Sequence, residues 1–153
     1  MSDRLKELLE QEEELQFESF ENEDALQLGS LIVALAKERG KGIAVHIEND
    51  TNPLYAHFMA GTGEGNVYWI HTKKNVVNRF GHSSLYVGES YKARGTTFNE
   101  ASGLSSDEYR GEGGSFPIVV KGRGKIGTVT VTGLTGEEDH WFAVEGIRRY
   151  LGR

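Results

Sequence analysis

The residues best equipped for chemistry crowd into Trp69–Ser84, WIHTKKNVVNRFGHSS. Two aromatics, two of the five histidines, Lys73, Lys74, Arg79, two asparagines and a serine pair fall there, with no acid among them. Taken as a helix over about 66–80, the stretch has an apolar arc of Trp69, Ile70, Val76, Val77 and Phe80, with Lys73 in its middle. A lysine so placed must snorkel, pair with an acid, or meet an anionic ligand. His71, Asn75 and Arg79 recur at helical spacing on the opposite face, as a solvated surface also would.

Gly81-His82 ends this helix, and Ser83 is a good cap for the next, about 84–94. A helix start at His82–Ser84 presents unpaired backbone N–H groups, a natural anion site. Lys73 and Arg79 stand one or two turns back, so a carboxylate or phosphate could be held by amides, the Ser83 and Ser84 hydroxyls and a guanidinium together. The glycine loop 111–114, with Gly113 and Gly114, could lie against a flat ligand. The competing reading has Arg79 merely tying two helices together through C-terminal carbonyls. Gly81-His82-Ser83-Ser84 is not a serine-nucleophile motif, because a nucleophile elbow wants G-x-S-x-G after a strand and here a helix precedes. No phosphate loop, dinucleotide fingerprint or HExxH occurs. His140 beside Glu138 and Asp139 sits in a helix first turn, where acids serve the dipole.

The elements that must position these groups follow in order. Leu5, Leu8, Leu9 and Glu12 mark an amphipathic helix at about 3–14, within an acidic leader over 1–15. Leu15, Phe17 and Phe20 suggest a short strand, and a helix runs from Asn22 to a stop at Gly40. Ile43–Glu48 and Leu54–Ala60 read as a hairpin. A register in which paired residue numbers sum to 103 sets His46 across from His57, with Glu48 and Tyr55 alongside; this is a conceivable metal patch or a plain polar face. Phe116–Lys121 and Ile126–Thr132 form a second hairpin, and Thr135-x-x-Glu138 opens a last helix over about 136–151. Five strands in mostly hairpin connection predict an α/β (α+β) fold, an antiparallel sheet covered by helices, in one domain over 1–153.

The totals narrow the function classes. There is no cysteine, so no disulfide framework or thiol nucleophile is available. No apolar run is long enough to span a bilayer, and the charged N-terminus lacks the apolar core of a signal peptide, so a cytoplasmic protein without membrane association is expected. Residues 1–24 hold ten acids against Arg4 and Lys6, while the remainder carries a slight basic excess. That argues against nucleic-acid binding and leaves the acidic leader as either a solvated face or a docking helix for a protein partner.

Four stretches, NVVNRFGHSS (75–84), RGTTF (94–98), GGSFPI (113–118) and GTVTVTGL (127–134) with the following EDH (138–140), resemble the haem-degrading-domain family. The similarity is to its small uncharacterised-protein branch, within a wider group of GlcG-like proteins, secreted haem binders and the C-terminal domain of PduO-type proteins. It covers nearly the whole chain. The resemblance implies a profilin-like α/β/α arrangement with a five-stranded antiparallel sheet, and homo-oligomers. It implies haem or corrinoid binding in some members and haem degradation in others. It carries over to His57, Trp69, Lys73, Asn75, Arg79, Phe80, His82, Ser83, Ser84, Gly113, Gly114 and Phe116. His46 departs from the pattern, which weakens a His46/His57 metal pair. The expectation is therefore an oligomeric binder of a small anionic or tetrapyrrole ligand, with haem as cofactor, His82 or His57 as axial ligand, and weak haem degradation as an accompaniment. Lys73 and Arg79 would meet the ligand's carboxylates. The alternatives are a non-catalytic adaptor and a small-molecule enzyme built on Arg79, His82 and Ser83.

Overall fold

The computed structural model describes residues 2–153. Ten elements follow in chain order: helix α1 (Asp3–Glu14), α2 (Asn22–Glu38), strands β1 (Ala44–Asn49) and β2 (Pro53–Phe58), α3 (Glu64–Phe80), α4 (Ser84–Lys92), α5 (Phe98–Ser102), β3 (Ser115–Val120), β4 (Gly124–Thr132) and α6 (Gly136–Leu151). The sheet is antiparallel throughout, in the order β2-β1-β4-β3.

Period-two alternation gives the sheet two unlike faces. Val45, Ile47, Val129, Val131, Phe116 and Ile118 are buried on one face in a single core with Leu28, Ile32, Phe142 and Ile147 of α2 and α6. The other face is small and polar, with Thr128, Thr130, Thr132 and Ser115 buried under α3. Helix, sheet and helix thus form three layers. A second cluster, Val76, Val87 and Phe98, fastens α3, α4 and α5 together outside the sheet.

Two expectations need correction. The sheet has four strands, not five. Of Leu15–Phe20 only Phe17 pairs, through Phe17 N–H to Val119 O at 2.8 Å and Lys121 N–H to Phe17 O at 2.9 Å, a single bridge at the outer edge of β3. Leu15, Phe17 and Phe20 are all buried in the core, and α2 begins at Asn22, so no length remains for a ladder. The first hairpin is also out of register by one residue. Val45 opposes His57 and His46 opposes Ala56. The Asn49 side chain accepts from the Thr51 and Asn52 amides, and a bulge follows Ile47. Since a one-residue slip moves every side chain to the other face, His46 and His57 lie on opposite faces of the sheet and form no metal pair.

Candidate functional site

Lys73 is the anomaly around which a cleft forms. The helical period points it at the sheet, and it is 2% exposed. Its ammonium donates to Gly113 O at 3.0 Å, Val131 O at 2.8 Å and the Asp139 carboxylate at 3.2 Å. An ammonium has three N–H donors, so all are engaged. The other oxygen of Asp139 accepts from Leu134 N–H at 3.1 Å. Burial lowers the Lys73 pKa against the pull of Asp139, and burial raises that of Asp139 against the pull of Lys73. Of the three fates open to a lysine in an apolar arc, this one pairs.

Above the pair opens a cleft of about 380 Å³. Its walls are the first turns of α3 (Asn66, Trp69), the segment before β3 (Glu112, Gly113), and the β4–α6 connection with Gly133, Gly136 and Asp139. Arg110 lays its guanidinium 4.9 Å from the Trp69 ring centroid, 4.0 Å from the Glu112 carboxylate. Gly113 and Gly114 serve packing. A Cβ on Gly113 would collide with Gly136 O, and one on Gly114, whose φ is 136°, would collide with Lys73 Nζ and Val131 O. The backbone approach that only glycine permits is what lets Lys73 reach its acceptors.

At the start of α4, where a ligand anion is expected, the chain places a carboxylate of its own. Glu12 of α1 accepts from Ser83 N–H at 3.1 Å with one carboxylate oxygen and meets His82 Nδ1 at 2.8 Å with the other. Ser83 Oγ caps α4 by accepting from Tyr86 N–H at 3.2 Å, and Ser84 Oγ accepts from Ser115 N–H at 3.0 Å. Burial raises the Glu12 pKa, while the Ser83 amide and His82 pull it down. The acidic helix is therefore bound to the body, with Leu5 and Leu8 buried and Arg4 and Glu14 paired to Glu137 and Arg148 of α6.

Asn75 and Arg79 go elsewhere again. Asn75 Nδ2 donates to Glu108 O at 2.8 Å, and the exposed Arg79 guanidinium lies 5.7 Å from the Tyr109 ring centroid. The residues expected to converge on one ligand thus occupy three environments: Lys73, Gly113 and Gly114 at the cleft floor; His82, Ser83 and Ser84 under Glu12; Asn75 and Arg79 against the 105–110 loop. Sequence reasoning missed Asp139, Glu112 and Asn66 as cleft residues. Glu12 had left a signal, since it falls on the same stripe as Leu5 and Leu8.

The five histidines sort by their partners. His46 bonds Glu48 at 2.9 Å, His71 bonds Glu108 at 2.7 Å, and His82 bonds Glu12. His140 is buried with Nε2 2.7 Å from Gln11 Oε1, and burial pushes its pKa down to about 3. Burial would lift the Glu48 pKa, but His46 and Lys74 hold it down to about 2. His57 alone makes no side-chain hydrogen bond among the described residues. It is exposed on β2, beside a groove of about 270 Å³ that α2 lines with Ser30, Val33, Ala34 and Lys37 and β2 with Tyr55. Among the described residues no three His, Asp or Glu side chains stand together as a metal site.

Comparison with known proteins adds a family. The model described as haem degrading protein HbpS-like matches residues 20–148. A UPF0303 protein of Streptomyces coelicolor is 45% identical over 146 residues, 95% of this chain and 92% of the relative. One from Rhizobium etli is 41% identical over 153 residues, 100% of this chain and 93% of the relative. Among solved structures, the Ybr137w protein superposes with a TM-score of 0.90 at 31% identity, over 97% of this chain and 88% of that one. A PduOC:heme complex superposes with a TM-score of 0.70 at 17% identity, over 84% of this chain and 93% of that one; this second likeness concerns the fold.

Proposed function

This chain belongs to the HbpS-like haem-degrading family, and from that premise we propose that it binds haem in the groove between α2 and β2, with His57 as the axial ligand. The observation that carries this reading is the free imidazole of His57. The other four histidines are engaged by an acid or by Gln11, whereas His57 can offer a ring nitrogen without breaking a bond. Its surroundings fit a tetrapyrrole. Val33, Ala34 and Tyr55 supply apolar contact for a flat ring, and Lys37, which forms no ion pair among the described residues, supplies a cation for a propionate. Iron bound there would supply redox and ligand-exchange chemistry; the residues present would hold the ring and fix the side from which it is ligated.

Self-association belongs to the same proposal. β2 is an edge strand of the sheet among the described residues, Phe58 on it is 39% exposed, and Leu26 of α2 is 50% exposed. A groove of this size grips part of a macrocycle, and a second copy against this edge would cover more of it.

Hemin titration followed at the Soret band tests the proposal. Saturation near one hemin per chain is expected, with the spectrum lost in His57→Ala, weakened in Lys37→Ala and retained in His82→Ala. A titration without a Soret shift, or one that His57→Ala leaves unchanged, overturns it.

A further inference from the structure

The haem proposal leaves the cleft above Lys73 unused, and its chemistry is of the opposite kind. Two carboxylates, Glu112 and Asp139, line it against one ammonium, Lys73. That ammonium has no donor left to give, because Gly113 O, Val131 O and Asp139 take all three. An anion entering here would meet Glu112 and the remaining lone pairs of Asp139, and the one further cation at the rim, the Arg110 guanidinium, already faces Glu112 and the Trp69 ring. A cation would meet two carboxylates and an aromatic wall. The chain shows which cation suits the rim: its own Arg110 guanidinium lies over the Trp69 ring at 4.9 Å, beside Glu112. The backbone of Arg110 is anchored to α3 through its N–H to Thr72 O at 3.2 Å, so the side chain can leave the rim without moving the loop.

We propose that this cleft binds a small organic cation, a guanidinium or primary amine, which takes the place of Arg110 on Trp69 and pairs with Glu112. Stacking on an indole favours a cation over a neutral isostere, and the neighbouring carboxylate makes the contact a charge-assisted hydrogen bond. Asn66 adds polarity at the mouth. Lys73 and Asp139 act as positioning residues, holding the Gly113 segment against α6 so that Glu112 faces Trp69. The site is separate from the His57 groove, and neither depends on the other.

Agmatine is the probe, with glutarate as its anionic counterpart. Tryptophan fluorescence is read in a Trp141→Phe background, which leaves Trp69 as the single indole, and calorimetry supplies a second readout. Saturable quenching by agmatine and none by glutarate is expected. Glu112→Gln weakens agmatine about tenfold, the size of one charge-assisted contact. Arg110→Ala strengthens it, because the resident guanidinium no longer competes. Both changed residues are partly exposed, so folding is not at stake. The proposal is overturned by three results: no saturable agmatine binding in either the parent or Arg110→Ala, equal binding of glutarate, or an affinity indifferent to Glu112→Gln. His57→Ala should bind agmatine normally, so failure of the haem proposal and failure of this one are told apart.

Discussion

Replacing Lys73 by Met deletes the ammonium from a pair whose two side chains are 2% and 3% exposed. Asp139 then keeps only the Leu134 amide, and the ammonium's bonds to Gly113 O and Val131 O are lost. Removing one member of a buried ion pair costs about 3–5 kcal/mol, because the other charge stays buried without compensation. That is a large share of the ~5–15 kcal/mol that holds a typical domain together. At about 2–4 °C per kcal/mol for a chain of this size, Tm should fall by roughly 6–20 °C. The loss should depend on pH in a definite direction. An isolated buried Asp139 has a folded pKa above its unfolded value, so the folded state binds the extra proton and the protein is relatively stabilised in acid. Stability is then lost as pH rises through the folded pKa. The defect of Lys73→Met should therefore be smaller at pH 4.5 than at pH 8. Lys73→Met/Asp139→Asn, which removes the charge and keeps an acceptor for Leu134 N–H, should recover much of the loss. Urea denaturation at the two pH values, with circular dichroism confirming the fold, measures all of this. A loss below about 1 kcal/mol, or a double variant no better than the single one, would refute the reasoning.

Two further predictions follow from buried geometry. His140 has a folded pKa of about 3 against an ordinary 6.5, so the unfolded chain binds the extra proton between these values and stability falls as pH drops below about 6.5. At pH 5 the loss is about 2 kcal/mol relative to neutral pH. His140→Gln, which can still bond Gln11, should flatten that slope in denaturation curves taken from pH 7.5 to 4.5. Gly114→Ala forces a Cβ onto Lys73 Nζ and Val131 O at a positive φ and should cost more than about 2 kcal/mol. Gly95→Ala, also at positive φ but facing open space, should cost only about 1–2 kcal/mol. Equal losses in thermal melts of the two variants would show that Gly114 is required for its dihedral angle alone.

What could be read along the chain was local. The apolar stripe of α3 was visible, with Lys73 out of place inside it, and so were the Ser83 cap and the anion-binding character of the α4 start. The box at Thr135 and Glu138 was equally plain. Each rests on residues three or four apart, whose contacts are set by helical geometry alone. The partners of these groups were not visible. Lys73 and Asp139 are 66 positions apart, and Glu12 lies 71 from Ser83. A first-turn acid such as Asp139 ordinarily serves the helix dipole, yet its side chain turns inward to meet an ammonium.

The hairpin makes the same division. Alternation identified both strands, but whether His57 shares a face with His46 depended on a turn closed by Asn49 and a bulge after Ile47, which alternation cannot count. The sequence by itself determined the helices, the two hairpins, the Ser83 and Thr135 caps, the family and the oddity of Lys73, because each follows from neighbours along the chain. Only the tertiary structure decided that Glu12 fills the anion corner, that Lys73 ends on Asp139, and that His57 is left free beside α2. Those outcomes depend on which distant segments the packed core brings together, and no local spacing encodes that.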